Sequence, residues 1–422
     1  MVTKYVQPNG LRVILEPVSS SVSVSAGLWL TRGSRNEKSD EYGYAHFVEH
    51  MLFEGTQKYS VKELAKMVDR VGGQHNAATD REYTCYYINI MADHLDMAVD
   101  ILSEMYYHPL FDAKELEKEK NVILEEIMMC EESHDEYVYD LFSEYMLPGH
   151  PLSHPILGTS GIIESASSSS LREFYHNNYR NENAIFVVAG NFNIEKAKEL
   201  IGRHFESNNG NPNPPAGDIP LHPERVRFKH AKRNIEQVHF CMGTEGIKRN
   251  DDDRWALYIL STILGGSMSS RLFQKIREDM GLCYSIYSFH LSYSDLGLFG
   301  IYCATGRENF HKTVGLIADE CRLLLKDGIT AAELEDAKTF IKGSLALSLE
   351  SVEVRMGQIV KNEITFGRHF SFDDTMKQID GVSRDDFMRL AARLFEGKEL
   401  SLISVGRMPR GLRKRKPMDL RM

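Results

Sequence analysis

The sequence has no long hydrophobic run. No stretch approaches the roughly 18 consecutive apolar residues that a membrane-spanning helix needs. The N-terminal stretch also lacks the apolar core of a secretory signal and the Arg- and Ser-rich composition of a transit peptide. We therefore expect no membrane span, and a cytoplasmic protein or, as the alternative, a mature protein of an organellar matrix.

Cysteine is also scarce, and acidic residues outnumber basic ones. The six cysteines form no Cys-x-x-Cys pair, so we expect reduced, mostly buried thiols that are poor candidates for zinc ligands. Lys and Arg number 50 against 60 Asp and Glu, and the net charge of −10 argues against a nucleic-acid partner. The hydrophobic content of 42% is that of a globular protein, and 422 residues suggest two or three domains.

The segment His46–His50, with the sequence HFVEH, predicts a metal site. Two histidines four residues apart lie on one face of a helix, where both can present a ring nitrogen to one ion. Glu49 adds a carboxylate that is free to move a proton, which is what a zinc hydrolase needs. The order of residues is the inverse of the usual zinc-peptidase motif. So short a pattern also arises by chance, and a catalytic zinc site needs a third protein ligand.

Candidates for the third ligand lie in a predicted helix, Ala113–Glu132. Glu119 and Glu126 are seven residues apart and share a face, so one can bind the metal while the other orients a ligand. Glu125 points about 100° away from them and is less well placed. Taken without the histidine motif, this segment is far more typical of an ordinary charged helix.

The chain divides near its midpoint. Segment 207–223 begins with a run of Ser, Asn, Gly and Pro, which is typical of a linker. We therefore predict domains over 1–206 and 224–422. An apolar strand followed by glycine ends the first half at Ala184–Gly190 and recurs at Leu400–Gly406. This repeat predicts an α+β fold with two homologous domains, each a sheet with helices packed against it.

Hydrophobic periodicity predicts the individual elements of both halves. The predicted strands are Leu11–Leu15, Val22–Leu30, Glu82–Ile90, Ala184–Ala189, Gln237–Gly243, Leu298–Ala304 and Leu400–Val405. The predicted helices are Gly43–Glu54, Val61–Val71, Leu95–Tyr107, Ala113–Glu132, Leu171–Tyr179, Ile194–Phe205, Trp255–Leu264, Ser270–Met280, Phe310–Lys326, Ala331–Glu350 and Arg384–Phe395.

The metal motif and the residues after it, Met51–Thr56 (MLFEGT), resemble the signature of the M16, or pitrilysin, metallopeptidases. That family includes mitochondrial processing peptidase and the insulin-degrading enzymes, and the likeness is to the processing-peptidase-like subfamily, M16B. It extends over essentially the whole chain. Further segments that match the family's usual pattern are Gly27–Trp29, Gly33–Glu37, Asn76–Ala77, His150–Pro151, Pro155–Thr159 and Val187–Gly190.

The resemblance implies one zinc ion per chain and an α+β fold of the kind found in LuxS and the processing peptidases. Its zinc ligands fall on His46, His50 and Glu126, and the family's second glutamate falls on Glu119. Glu49 would be the general base, taking a proton from zinc-activated water and passing it to the leaving amine. The implied reaction is hydrolysis of peptides or unfolded polypeptide segments by a zinc endopeptidase.

Two further pairs of residues follow from the same resemblance. The family's Arg and Tyr, seven residues apart, fall on Arg277 and Tyr284. Tyr284 is expected to hydrogen-bond the substrate carbonyl or the developing oxyanion, and Arg277 to hold the substrate. Segment Gln74–Thr79 resembles the family's edge strand, so Asn76 and Ala77 are expected to bind the substrate backbone by strand addition.

The number of domains carries an implication about partners. Large members of the family resemble four such domains in one chain, with the Arg/Tyr pair in the fourth, whereas this chain has two. The resemblance therefore implies a two-fold homodimer in which Arg277 and Tyr284 complete the zinc site of the other subunit, inside an enclosed chamber. A heterodimer with a catalytically silent homologue is the other possibility.

Two other functions compete with a zinc endopeptidase. A catalytically silent scaffold or partner subunit would keep the fold and lose the metal motif. A non-peptidase zinc hydrolase would keep both. The complete set of His46, Glu49, His50 and Glu126 argues against the silent scaffold, because mutational drift is expected to damage at least one of these residues in an inactive protein. A peptide-cleavage assay separates the non-peptidase zinc hydrolase from a peptidase.

Overall fold

The computed structural model describes residues 2–207, 226–408 and 419–422. None of the helices in these ranges combines the length and the apolar character needed to cross a bilayer. All six cysteines lie within these ranges and are free thiols, four of them buried. This confirms the expectation that the cysteines are mostly buried.

The described residues form two sheets and the helices packed on them. The strands are β1 Thr3–Val6, β2 Arg12–Pro17, β3 Ser23–Leu30, β4 Gln74–Thr79, β5 Thr84–Met91, β6 Ala184–Gly190, β7 Phe228–Lys232, β8 Gln237–Glu245, β9 Cys283–Ser292, β10 Gly297–Gly306 and β11 Ser401–Gly406. The α-helices are α1 Tyr44–Met51, α2 Val61–Asp69, α3 Leu95–Tyr107, α4 Ala113–Glu132, α5 His134–Met146, α6 Ser160–Ser165, α7 Ser168–Asn178, α8 Ile194–His204, α9 Arg254–Leu264, α10 Phe310–Asp327, α11 Ala331–Ser348, α12 Val352–Phe366, α13 Phe372–Asp380 and α14 Arg384–Phe395.

The first sheet has the strand order β1-β2-β6-β3-β5-β4. β2 and β6 are parallel, and the other neighbouring strands are antiparallel. Helices including α1, α3 and α4 pack on one face around a core that contains Phe47, Leu102 and Ile123. β4 lies at the edge of the sheet and packs against α1. The sheet thus places an edge strand beside the helix that carries the histidine motif.

The second sheet repeats this topology. Its order is β7-β11-β8-β10-β9, with β7 and β11 parallel and the other neighbours antiparallel. When β2 to β6 are matched in chain order with β7 to β11, the strand order and directions are the same. The predicted α+β fold of two homologous sheet-plus-helices domains is therefore confirmed.

The outer face of each sheet is covered by a helix from the other half of the sequence. The described residues form two compact units, one containing 2–129, 154–207 and 348–369, the other the remaining segments. In the first unit, Met356 of α12 packs against Trp29, and a Cβ at Gly27 would lie 2.9 Å from the Met356 sulfur. In the second unit, Phe142 of α5 packs in a cluster with Cys241 of β8. Apart from Ser207, the predicted linker lies almost wholly outside the described residues, and the division there stays a prediction.

Some predicted elements were wrong in type or extent. The α-helix predicted over Ser270–Met280 contains instead a π-helix at Phe273–Asp279, whose wider hydrogen-bond spacing leaves no clear mark in apolar periodicity. Helix α1 ends at Met51 and not at Glu54. Strands β1, β7 and β9 and helices α5, α6, α12 and α13 were not predicted. Strand β9 has few fully buried positions, so the alternation of a half-buried strand is weak there.

Candidate metal centre

Helix α1 is fixed in the core by its apolar face. Phe47, Val48 and Met51 are fully buried, whereas His46, Glu49 and His50 are half-buried. The two histidine rings are neighbours, with centroids 4.6 Å apart. The spacing of four residues therefore produces the shared face that the sequence predicts.

Helix α4 brings a carboxylate to the two histidines. Glu126 Oε2 lies 3.7 Å from His46 Nε2 and 3.6 Å from His50 Nε2. The ligand atoms of these three residues lie within 4.8 Å of one another, and they are the group of His, Cys, Asp and Glu residues in the described chain that could hold a metal ion. Glu125 is exposed on another face of the helix.

The spacing of these donor atoms fits a zinc ion. Separations of 3.6 and 3.7 Å are too long for good N–H···O hydrogen bonds. Ligand atoms about 2.1 Å from a tetrahedral zinc ion lie about 3.4 Å from one another, close to the separations found here. Two imidazoles and one carboxylate are also a donor set typical of catalytic zinc sites, which keep a fourth position for water.

The surroundings of each histidine favour metal binding. Burial, followed by the neighbouring His50, lowers the pKa of His46 to about 3, so its ring is neutral near neutral pH. His50 Nδ1 lies 3.0 Å from Glu119 Oε2. A hydrogen bond from Nδ1 to this carboxylate leaves Nε2 of His50 free to bind a metal. Glu119 therefore lies where the sequence predicts a carboxylate that orients a metal ligand.

Glu49 is held by a residue for which the sequence predicts no role. The Thr79 hydroxyl, on β4, donates a hydrogen bond to Glu49 Oε2. Burial raises the pKa of Glu49, while the hydrogen bonds from Thr79 act in the opposite direction. A carboxyl group with a raised pKa, close to residues that could hold a metal ion, is suited to accept and return a proton.

Asn76 and Ala77 lie in the middle of edge strand β4. Both are paired with β5, Asn76 with Tyr87 and Ala77 with Tyr86. The Asn76 side-chain oxygen accepts a hydrogen bond of 2.9 Å from the N–H of Ala77. Since side chains alternate along a strand, Ala77 and Thr79 share the face that meets α1, a signal in the sequence that could have identified Thr79.

Arg277 and Tyr284 lie in the second compact unit and contact each other. Arg277 belongs to the π-helix, and Tyr284 lies at the start of β9. The guanidinium carbon of Arg277 is 5.3 Å from the centre of the Tyr284 ring and 4.5 Å from that of Phe273. Tyr284 is 75% exposed, so it is not the core tyrosine that an ordinary strand position would suggest.

The sequence matches two protein-family descriptions. Residues 12–160 match Insulinase (Peptidase family M16), and residues 165–341 match Peptidase M16 inactive domain. The uncharacterized zinc protease YmxG of Bacillus subtilis (strain 168) is 40% identical over 412 residues, which cover 97% of this chain and 100% of the relative. The uncharacterized zinc protease SCO5738 of Streptomyces coelicolor is 35% identical over 405 residues, covering 94% and 88%.

Two solved structures share the fold. A protease from Helicobacter pylori has a TM-score of 0.87 and 24% identity, covering 96% of this chain and 99% of its own. A peptidase M16 inactive domain from Pseudomonas fluorescens has a TM-score of 0.90 and 21% identity, covering 99% and 100%. At these identities the likeness establishes the two-domain architecture alone.

Proposed function

The chain belongs to peptidase family M16, and on that premise we propose that it is a zinc-dependent endopeptidase. Its substrates are peptides or unfolded polypeptide segments. One zinc ion per chain is held by His46, His50 and Glu126, and Glu49 is the general base. The names of the two relatives, both zinc proteases, support the metal and the class of reaction.

One observation carries this proposal. The donor atoms of His46, His50 and Glu126 lie within 4.8 Å of one another, while the Glu49 carboxylate is held by Thr79. A scaffold that had lost activity would have no reason to keep both the ligands and a separately held base. The match of residues 165–341 to a family described as inactive agrees with a metal centre built from the first half alone.

The chain's own residues supply the proton transfers. A bound zinc ion would lower the pKa of its water and polarise the scissile carbonyl. Glu49 takes a proton from the attacking water and then gives it to the leaving amine. Thr79 keeps the Glu49 carboxylate in place, and Glu119 keeps the His50 ring in the orientation that offers Nε2.

Strand β4 is the proposed docking site for the substrate backbone. An extended peptide that adds to the open edge of the first sheet gains main-chain hydrogen bonds with little dependence on its sequence. A carbonyl of that peptide would replace the Asn76 side chain as the acceptor of the Ala77 N–H. Unfolded segments meet this requirement, because their backbone is free to pair.

The proposed assembly is a homodimer of the processing-peptidase-like subfamily, in which the second subunit completes each site. Arg277 and Tyr284 then act on the substrate held by the zinc site of the other chain. The exposure of Tyr284 and its contact with Arg277 support a role at a surface rather than in the core. A heterodimer with a silent homologue is the competing assembly.

The test compares the wild type with Glu49→Gln against a mixed peptide library, with zinc measured in both proteins. The variant should keep its zinc and lose cleavage, since it keeps every metal ligand and lacks the base. Glu41→Gln is the matched control, because Glu41 precedes α1 by three residues and pairs with Lys38. Normal cleavage by Glu49→Gln overturns the assignment of the base. A wild type without zinc that cleaves nothing supports the scaffold.

A further inference from the structure

A buried carboxylate holds the start of the metal-binding helix. The side chain of Glu37 has no exposed surface. Its Oε2 accepts a hydrogen bond of 3.0 Å from the N–H of Gly43, and its Oε1 accepts one of 2.7 Å from the N–H of Ala45. Ala45 precedes the first zinc ligand, His46, so this carboxylate fixes the turn from which that ligand projects.

Helix α1 depends on this outside partner because it cannot cap itself. The first N–H groups of a helix have no partner within the helix and are usually capped by a Ser, Thr, Asp or Asn side chain. Gly43 occupies the capping position, with φ +95, and a Cβ there would lie 2.6 Å from the carbonyl oxygen of Leu157. Glycine is therefore required at this position, and it has no side chain that could cap the helix. A carboxylate is also favourable at the positive end of the helix dipole. Burial raises the pKa of Glu37, while its hydrogen bonds with His154, Ala45 and Gly43 act in the opposite direction.

The other side of Glu37 meets a histidine. His154 Nε2 lies 3.2 Å from Glu37 Oε2 and 3.1 Å from the carbonyl oxygen of Ser34. The His154 ring stacks on Tyr42 with centroids 3.8 Å apart. Arg81 Nη1 donates a hydrogen bond of 2.6 Å to the carbonyl oxygen of His154. The Glu37 carboxylate is thus held on one side by the backbone of α1 and on the other by His154. His154 is itself held by Tyr42 and Arg81.

The same group of bonds reaches the end of the docking strand. Arg81 follows β4 by two residues. The backbone N–H of Ser34 donates to Asp80, and that of Arg35 to Arg81. The Arg35 guanidinium forms an ion pair of 2.5 Å with Glu82. Segment 34–37 is therefore bonded at one end to the turn after β4 and at the other to the first turn of α1.

We propose that Glu37 is a positioning residue that fixes the metal-binding helix relative to the docking strand. Glu37 sets the position of His46 through the first turn of α1. Through segment 34–37 it also sets the position of His46 relative to β4. Its importance for catalysis rests on the proposed peptidase function. Its importance for the metal site can be measured without any cleavage.

The test is the affinity and geometry of the metal site in Glu37→Gln, which keeps the shape of the side chain and loses its charge. Zinc affinity is measured by competition with a chromophoric chelator, and geometry by the visible spectrum of the cobalt-loaded protein. Residues that orient metal ligands typically change affinity about 10–100-fold. We expect a loss in that range, a changed cobalt spectrum and, on a cleaved peptide, a lower kcat with little change in KM.

Glu363→Gln is the matched control, because Glu363 is also a buried glutamate of the first unit and pairs with Lys4 and Arg12 instead. It should lower the melting temperature and leave the zinc affinity and the cobalt spectrum unchanged. If Glu37→Gln behaves like this control, Glu37 is merely structural and the proposal is overturned. If Glu37→Gln does not fold, the test uses His154→Gln, which removes the histidine that contacts Glu37. This variant should change the cobalt spectrum. A cobalt spectrum of His154→Gln identical to that of the wild type overturns the proposal.

The outcome is separable from that of the proposed function. A wild type that binds zinc and cobalt but cleaves no peptide removes the peptidase proposal and leaves the role of Glu37 in the metal site testable by affinity. A wild type that cleaves peptides, together with a Glu37→Gln variant of unchanged metal affinity and kcat, keeps the peptidase and rejects Glu37 as a positioning residue.

Discussion

Thr79 donates the hydrogen bond of its hydroxyl to the Glu49 carboxylate, and the two residues belong to different elements, the edge strand β4 and the helix α1. The strand proposed to bind the substrate backbone therefore also holds the proposed base. A peptide docked on β4 would lie against the same strand that sets the position of the carboxylate.

The first prediction concerns this contact. Thr79→Val keeps the shape of the side chain and removes the donor. A hydrogen bond to a charged group contributes about 1.5–3 kcal/mol, so kcat should fall roughly tenfold or more. Zinc content should not change, because the hydrogen bond that is lost goes to Glu49, which is not a proposed metal ligand. Thr79→Ser should restore most of the rate. Thr84→Val is the control, since the Thr84 hydroxyl donates to the carbonyl of Arg32. A wild-type kcat in Thr79→Val would show that Glu49 needs no such support.

The second prediction separates two adjacent glutamates. Glu126→Gln should reduce zinc affinity by more than about 100-fold, because a ligand matters more than the 10–100-fold typical of residues that orient ligands. Glu125→Gln is the matched control, one residue away and exposed. Zinc titration of the two metal-free proteins measures the difference. Equal affinities would remove Glu126 from the ligand set.

The third prediction concerns the hydrogen bond between His50 and Glu119. Glu119→Gln weakens the group that orients the His50 ring, so zinc affinity should fall about 10–100-fold, less than in Glu126→Gln. Glu115→Gln, one turn earlier on α4, changes a carboxylate that pairs with Lys118 and should leave zinc affinity unchanged. A loss in Glu119→Gln as large as in Glu126→Gln would mean that Glu119 itself binds the metal.

The fourth prediction is a pH dependence of the metal-free protein. The pKa of His46 is about 3 in the folded chain and about 6.5 in the unfolded chain. Between these values the unfolded chain binds a proton that the folded chain does not, so stability falls as the pH drops below about 6.5. From about pH 7 to pH 5 this contribution is at most about 2 kcal/mol.

Urea unfolding of the metal-free wild type and of His46→Gln over this pH range tests it. The variant has no proton to bind at this position, so its stability should decline less steeply with acid. Parallel declines in the two proteins would mean that the His46 ring titrates normally in the folded chain.

The fifth prediction tests the assembly. Mixing Glu49→Gln chains with Arg277→Ala chains should restore activity, since a mixed dimer contains one site with both residues intact. Random exchange gives about half mixed dimers with one good site each, and hence about one quarter of wild-type activity. No recovery in a sample shown to contain mixed dimers contradicts completion of the site by the partner, as does an active monomer.

The sequence predicted the elements whose apolar periodicity is strong. Helices Leu95–Tyr107, Ala113–Glu132 and Arg384–Phe395 have the predicted bounds. It did not predict α12 or α5. Each follows another helix closely and packs on the outer face of a sheet formed mainly by distant sequence, and nothing local signals a break between two consecutive helices.

The candidate site was predictable where spacing along one helix determines the geometry. His46 and His50 are related by one helical turn, and Glu119 and Glu126 by two. Thr79 and Glu37 act across elements, the first from a strand to a helix and the second from a loop to a helix. Such contacts depend on how elements pack, which spacing along the chain does not encode.

Helices α12 and α5 each cover a sheet formed by the other half of the sequence, and this has a consequence for synthesis on the ribosome. Because chains emerge N-terminus first, Trp29 and its neighbours on the first sheet stay uncovered until Val352–Phe366 has been made. The half that carries His46, Glu49 and His50 therefore cannot finish folding when its own sequence is complete. Two gene fragments split near residue 207 would each produce a sheet with one bare apolar face, and the two products would need each other to become soluble. The molecule matures as one unit, late in translation, although its architecture is a duplication.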